Sequence, residues 1–128
     1  MKLKGYINKS CNKEMFNKKI EDIKSIYIKL LDYEDIQKVK NVVNTYKTEK
    51  LSIPIYTSPE GGILIKVTTR KLTKYLQSKL PLESWDNKMF DVEIDVKKYS
   101  FKNTNPDKGE IGFIVSGLKF NLQSLVEK

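Results

Sequence analysis

Residues 90–101 read FDVEIDVKKYSF, and the first part of this stretch alternates strictly between apolar and acidic side chains. Successive side chains of an extended chain point to opposite faces, so Phe90, Val92, Ile94 and Val96 would share one face. The alternation therefore predicts a long β-strand with one buried and one solvated face.

Shorter stretches on either side carry related patterns. Residues 3–7 and 25–31 alternate in the same way and predict two strands. Residues 51–69 predict a hairpin, because SPEGG at 58–62 supplies a proline and two glycines for a tight turn. Residues 111–122 predict a final strand, whose glycines permit bends or bulges.

Two segments have helical spacing instead. Asp32 offers an N-cap, and Glu34 and Asp35 lie in the first turn after it, which predicts an amphipathic helix over 33–47. The β-branched residues of this segment would also fit a strand. Leucines at every fourth position predict a second helix over 70–80, which Pro81 ends. Residues 14–24 fit a helix or a loop equally well.

The order of these elements predicts a mainly β (α+β) protein in a single domain of 128 residues. We expect a five-stranded OB-fold-like barrel with a helix between strands 3 and 4 and an extra helix near 33–47. An open α+β sheet of the same elements is the alternative.

Composition narrows the possible functions. Lysine and arginine number 24 against 16 acids, a formal charge of +8, which suggests a polyanionic partner. The alternative is a lysine bias imposed by an AT-rich genome. Histidine is absent and Cys11 is the only cysteine, which excludes His-dependent triads, His-containing zinc sites and internal disulfides. We expect a soluble, intracellular, non-enzymatic protein without metal or cofactor, since no stretch looks like a membrane span or a signal peptide.

Residues 97–102 (KKYSFK) interleave basic and aromatic side chains. If the alternation continues, Tyr99 and Phe101 face outward and can stack on bases, while Lys98 and Lys102 meet phosphates. A β-bulge near the first of these residues would instead turn both rings into the core.

A second basic stretch adds phosphate-contact candidates, because no acid occurs between residues 61 and 82. Lys66 lies on the outward face of its predicted strand, and Arg70 and Lys71 follow directly. The remaining lysines of the stretch fit a solvated helix face.

Two other functions remain open. A protein-interaction module would carry the positive charge incidentally. A metal-dependent nuclease is suggested by EIDVK at 93–97, where a carboxylate lies two positions before a lysine. Such a site needs a further acid, for which Glu60, Glu83 and Asp86 are the nearby options.

The segments at 90–101 and 112–120 (GFIVSGLKF) together resemble the closing hairpin of phage and viral single-stranded-DNA-binding proteins. The pair IPIY at 53–56 and ILIK at 63–66 is similar to their central hairpin. The resemblance implies an OB-fold, cooperative or oligomeric coating of exposed strands, and a role in replication or recombination. It also implies that the basic and aromatic residues of 98–102 lie near the DNA.

One difference from that family concerns the end of the chain. Residues 124–128 (SLVEK) contain no acidic run, so we do not expect replication proteins to be recruited through an acidic tail. Because Arg70 is the only arginine, little bidentate base recognition is available, and we expect weak sequence preference. The expected partner is a single-stranded nucleic acid, DNA rather than RNA, with a homo-oligomer and replication proteins as further possibilities.

Overall fold

The computed structural model describes residues 1–46, 51–58, 61–77, 79–103 and 113–128, except for the side chains of 101–103 and 113–115. The strands are β1 (Lys2–Ile7), β2 (Ser25–Leu30), β3 (Ile55–Thr57), β4 (Ile63–Thr68), β5 (Lys88–Asn103) and β6 (Phe113–Glu127). The α-helices are α1 (Lys13–Phe16), α2 (Tyr33–Asn44) and α3 (Leu72–Tyr75), and three short 3₁₀ turns lie at Lys9–Cys11, Ile20–Asp22 and Leu82–Ser84.

The described strands form a single mixed sheet whose hydrogen bonding runs as a ring. β5 pairs with β1 on one side and β6 on the other, β6 pairs with β4, β4 with β2, and β2 returns to β1. The β4–β6 pair is parallel and the others are antiparallel. The prediction of a mainly β protein with few helices is confirmed.

The strand count differs from the prediction, because six strands are present in the described part rather than five. The additional strand, β3, has three residues and pairs only with β4. It is the first arm of the predicted hairpin and lies outside the ring.

The core lies inside the ring, where the alternating residues of the strands meet. Of the predicted inward residues, Phe90, Val92 and Ile94 are at most 2% exposed, and Val96 is half-buried against the same core. Trp85 packs on Phe90 with ring centroids 5.2 Å apart, as large aromatic residues pack in protein cores.

The predicted helix over 33–47 is present as α2, and its N-cap is as expected. The Asp32 carboxylate accepts a hydrogen bond of 3.0 Å from the backbone N–H of Glu34. Val39 is fully buried and anchors the helix on the core.

The predicted helix over 70–80 is wrong beyond its first turn. In the described part of this segment only α3 is helical, and Leu76 then leaves the helix to bridge Leu125 on β6. The backbone N–H of Gln77 donates to the carbonyl of Leu125 at 2.9 Å, so pairing with the sheet replaces the helical hydrogen bonds. None of the helices in the described ranges is long and apolar enough to cross a membrane.

Candidate nucleic-acid interface

A groove opens on the outer surface where β4 and β6 part. The two strands pair at Val67 with Phe120 and at Thr68 with Asn121. On the N-terminal side of these pairs, residues 52–54 lie between β4 and β6. The backbone N–H of Leu118 donates to the carbonyl of Ser52 at 2.8 Å, and that of Lys66 donates to the carbonyl of Pro54 at 3.0 Å. The groove is therefore built on hydrogen-bonded backbone from three segments.

The groove has a volume of about 180 Å³ and combines lysines, tyrosines and apolar residues. Its lining consists of Ser52, Pro54, Tyr56, Lys66, Thr68, Tyr99, Leu118, Lys119 and Phe120. Two aromatic rings and two ammonium groups thus share one concave surface, the combination that contacts bases and phosphates in sequence-tolerant single-strand binding.

The two lysines reach the groove because of strand alternation. Ile65 and Val67 are buried on β4, so Lys66 between them points outward. On β6 the buried residues Leu118 and Phe120 place Lys119 on the same outer face. Since β4 and β6 run parallel here, Lys66 and Lys119 each lie one position before the paired Val67 and Phe120, and both line the groove.

Tyr99 enters the groove across its cross-strand partner Gly117. A Cβ atom at Gly117 would lie 2.6 Å from the Tyr99 hydroxyl, so the ring occupies the space that a side chain would need. The Lys119 ammonium lies 5.4 Å from the centre of the Tyr99 ring, within the range of a cation–π contact. The glycine therefore lets the ring lie close against the sheet beside a lysine.

The direction of Tyr99 follows the continued alternation rather than the alternative of a bulge near Lys97. A bulge is present earlier, between Glu93 and Ile94, and its extra residue is Gln123 on β6. The alternation of β5 itself is therefore unbroken from Phe90 to Tyr99. The side chain of Phe101 lies outside the described set.

A further tyrosine lies beside the groove. Tyr27 on β2 faces outward between the buried Ile26 and Ile28. Its ring packs against Tyr56 with centroids 5.9 Å apart and planes tilted by 60°. The aromatic surface consequently extends from the groove onto the outer face of β2.

Only some of the residues proposed from the sequence line the groove. Lys66 and Tyr99 line the groove. Arg70 and Lys71 are exposed just after the end of β4, and Lys98 is exposed on β5 without lining the groove. The backbone of Phe101 and Lys102 belongs to β5, but their side chains are not described.

Sequence reasoning missed Tyr27, Tyr56 and Lys119 as candidate residues. Each lies one position from buried or half-buried aliphatic residues in an alternating strand, and that signal was available. The sequence does not show that these three residues lie close together, because that depends on which strands become neighbours.

A larger pocket of about 440 Å³ lies between β1, β5, β6 and α2, and its charges are mixed. Lys2, Lys4 and Lys38 face Asp35, Asp91 and Glu93 there. A hydrogen bond with Lys128 raises the pKa of Lys4, and the same contact lowers the pKa of Lys128. Because acids offset the lysines, this pocket suits a polyanion less well than the groove does.

Two of the carboxylates considered for a nuclease have partners within the chain. Asp95 forms an ion pair with Lys97 at 3.7 Å. Asp86 accepts a hydrogen bond of 2.7 Å from the backbone N–H of Lys9. Within the described ranges, no three acidic or cysteine side chains are grouped as metal ligands, and Glu60 lies outside those ranges.

Comparison of the chain with protein-family models, with curated proteins and with solved structures gives no match.

Proposed function

We propose that this chain binds single-stranded DNA with little sequence preference, and that the groove between β4 and β6 is its contact surface. The observation that carries the proposal is the convergence of Tyr56, Tyr99, Lys66 and Lys119 on one groove. Tyrosine rings stack on any base, and ammonium groups attract phosphates whatever the sequence.

The strand order adds support through the fold. The ring β1–β2–β4–β6–β5 has the neighbour relations of the five-stranded OB-fold barrel, with β4 as the third strand and β3 as an addition. We propose that the chain is an OB-fold, in which the face of the second and third strands binds oligonucleotides. That face here carries Tyr27 and Lys66.

The resemblance of residues 90–101 and 112–120 to phage and viral single-stranded-DNA-binding proteins supports the same proposal. By that likeness the protein would coat exposed strands during replication or recombination, as a homo-oligomer and beside replication proteins. Arg70, Lys71, Lys98 and Lys102 would then add phosphate contacts along the bound strand, and Phe101 a further stacking surface.

Fluorescence anisotropy with labelled oligo-dT and with a duplex of equal length tests the proposal. We expect preferential binding of the single strand, because its unpaired bases are free to stack. Equal affinity for both forms would indicate phosphate attraction alone. Absence of binding to either at low salt would reject the proposal and favour a protein partner, for which exposed Leu31 and Tyr33 are the first surface to test.

A further inference from the structure

A second pocket of about 330 Å³ lies beside Tyr27, between the segment after β1 and the start of β2. Its lining consists of Ser10, Cys11, Asn12, Lys13, Glu14, Met15, Ser25 and Tyr27. Tyr27 lines this pocket, while its ring contacts Tyr56, which lines the groove. The Tyr27–Tyr56 pair therefore joins two concave surfaces along the outside of the sheet.

The second pocket is held in shape by one buried amide. Asn12 is 4% exposed, and its side-chain nitrogen donates to the carbonyls of Asn8 and Tyr27 at 2.9 and 3.0 Å. Its side-chain oxygen accepts the backbone N–H of Tyr27 at 2.7 Å. The two hydrogen bonds with Tyr27 tie the segment after β1 to β2, and the bond to Asn8 holds that segment in its turn, so the pocket exists without a ligand.

The chemistry of the second pocket differs from that of the groove. Lys13 and Glu14 both line it, so its formal charges cancel. The Tyr27 ring offers a stacking surface, and the hydroxyls of Ser10 and Ser25 offer hydrogen bonds. A nearly neutral pocket with one ring and two hydroxyls suits the base and sugar of a nucleotide better than its phosphate.

We propose that a bound single strand continues from the groove, across Tyr56 and Tyr27, into this second pocket, which holds the base of a further nucleotide. The inference rests on the proposed function and extends it, because it gives the path of the strand. It predicts that short oligonucleotides occupy the groove alone and that longer ones also cover the second pocket.

The chain carries its own probe for this path, since Cys11 is its only cysteine and lies partly exposed in the second pocket. The test measures the alkylation rate of Cys11 by iodoacetamide with oligo-dT of about 4 to about 16 nucleotides, the range of site sizes of OB-folds. Anisotropy on the same samples measures binding. We expect at least tenfold slower alkylation with saturating long oligonucleotides and little change with the shortest ones that bind.

Two variants make the result specific. In Tyr27→Ala we expect long oligonucleotides to bind through the groove and to protect Cys11 much less. A Cys11→Ser/Asn41→Cys protein carries its thiol on exposed α2, away from both concave surfaces, and its alkylation rate should not change on binding. Equal protection at position 41 would show general coating and overturn the path.

The outcomes separate the two proposals. Binding of long oligonucleotides without protection of Cys11 would overturn the second pocket and leave the groove as the binding site. Failure of every oligonucleotide to bind would reject the proposed function, and the path with it.

Discussion

Tyr99 and Gly117 depend on each other where the Tyr99 side chain lines the groove. The tyrosine ring lies over the glycine, and the carbonyl oxygen of Ser52 lies 2.8 Å from where a Cβ atom would be. The tyrosine hydroxyl can move, since it ends a flexible side chain. The Ser52 carbonyl cannot move easily, because Ser52 is hydrogen-bonded to β6 on both sides.

Gly117→Ala should therefore lower the free energy of unfolding by about 1–3 kcal/mol, the usual cost of forcing an extra methyl into a packed site. Urea denaturation measures this change. Tyr99→Ala in the same background should restore only part of it, because the contact with Ser52 remains. Ser116→Ala is the matched control on the neighbouring residue, and an equal loss in that variant would contradict the explanation.

The two groove tyrosines should account for stacking. Tyr56→Ala/Tyr99→Ala should weaken binding of oligo-dT by about 1–3 kcal/mol for each stacked base, while duplex binding changes little. Anisotropy at fixed salt measures both affinities. Tyr33→Ala is the control, since Tyr33 is 73% exposed on α2 and lies outside the groove. Equal losses in the control and the double variant would contradict the assignment of the groove.

At the scale of elements, α2 begins where the sequence predicts because the cap is local. Asp32→Ala removes the acceptor for the N–H of Glu34 and should lower the free energy of unfolding by about 1 kcal/mol. Thermal or urea denaturation checks this value against Glu21→Ala, an exposed acid outside the helix. An unchanged midpoint in Asp32→Ala would show that the cap contributes nothing.

Local patterns predicted the strands well, and they failed where a distant partner decided the outcome. Ile26, Ile28 and Leu30 alternate with more polar residues, so the local sequence alone predicts that they share the buried face of a strand. All three are buried. Residues 70–80 have helical spacing too, but Leu76 gains a partner on β6 that the local sequence does not contain. The helix consequently ends after one turn.

At the scale of the whole molecule, the candidate site is a product of topology. Lys66 and Lys119 lie more than fifty positions apart and line the same groove because β4 and β6 run side by side. The sequence indicated that Lys66 and Tyr99 face outward. It could not indicate the gap between these strands or the segment 52–54 that fills it. Lys98, Arg70 and Lys71 were equally good candidates by charge, yet none of them lines the groove.

The salt dependence of oligo-dT binding in Lys66→Gln/Lys119→Gln tests the central claim most directly. A lysine that neutralises a phosphate of a single strand contributes about 0.7 to the slope of log K against log salt. The double variant should therefore lose about 1.4 from the slope of the unmodified protein. Lys40→Gln/Lys88→Gln removes the same charge from exposed positions outside the groove and should leave the slope nearly unchanged. Equal slopes in the two variants would contradict binding in the groove. They would show that the net charge of the protein alone attracts the oligonucleotide.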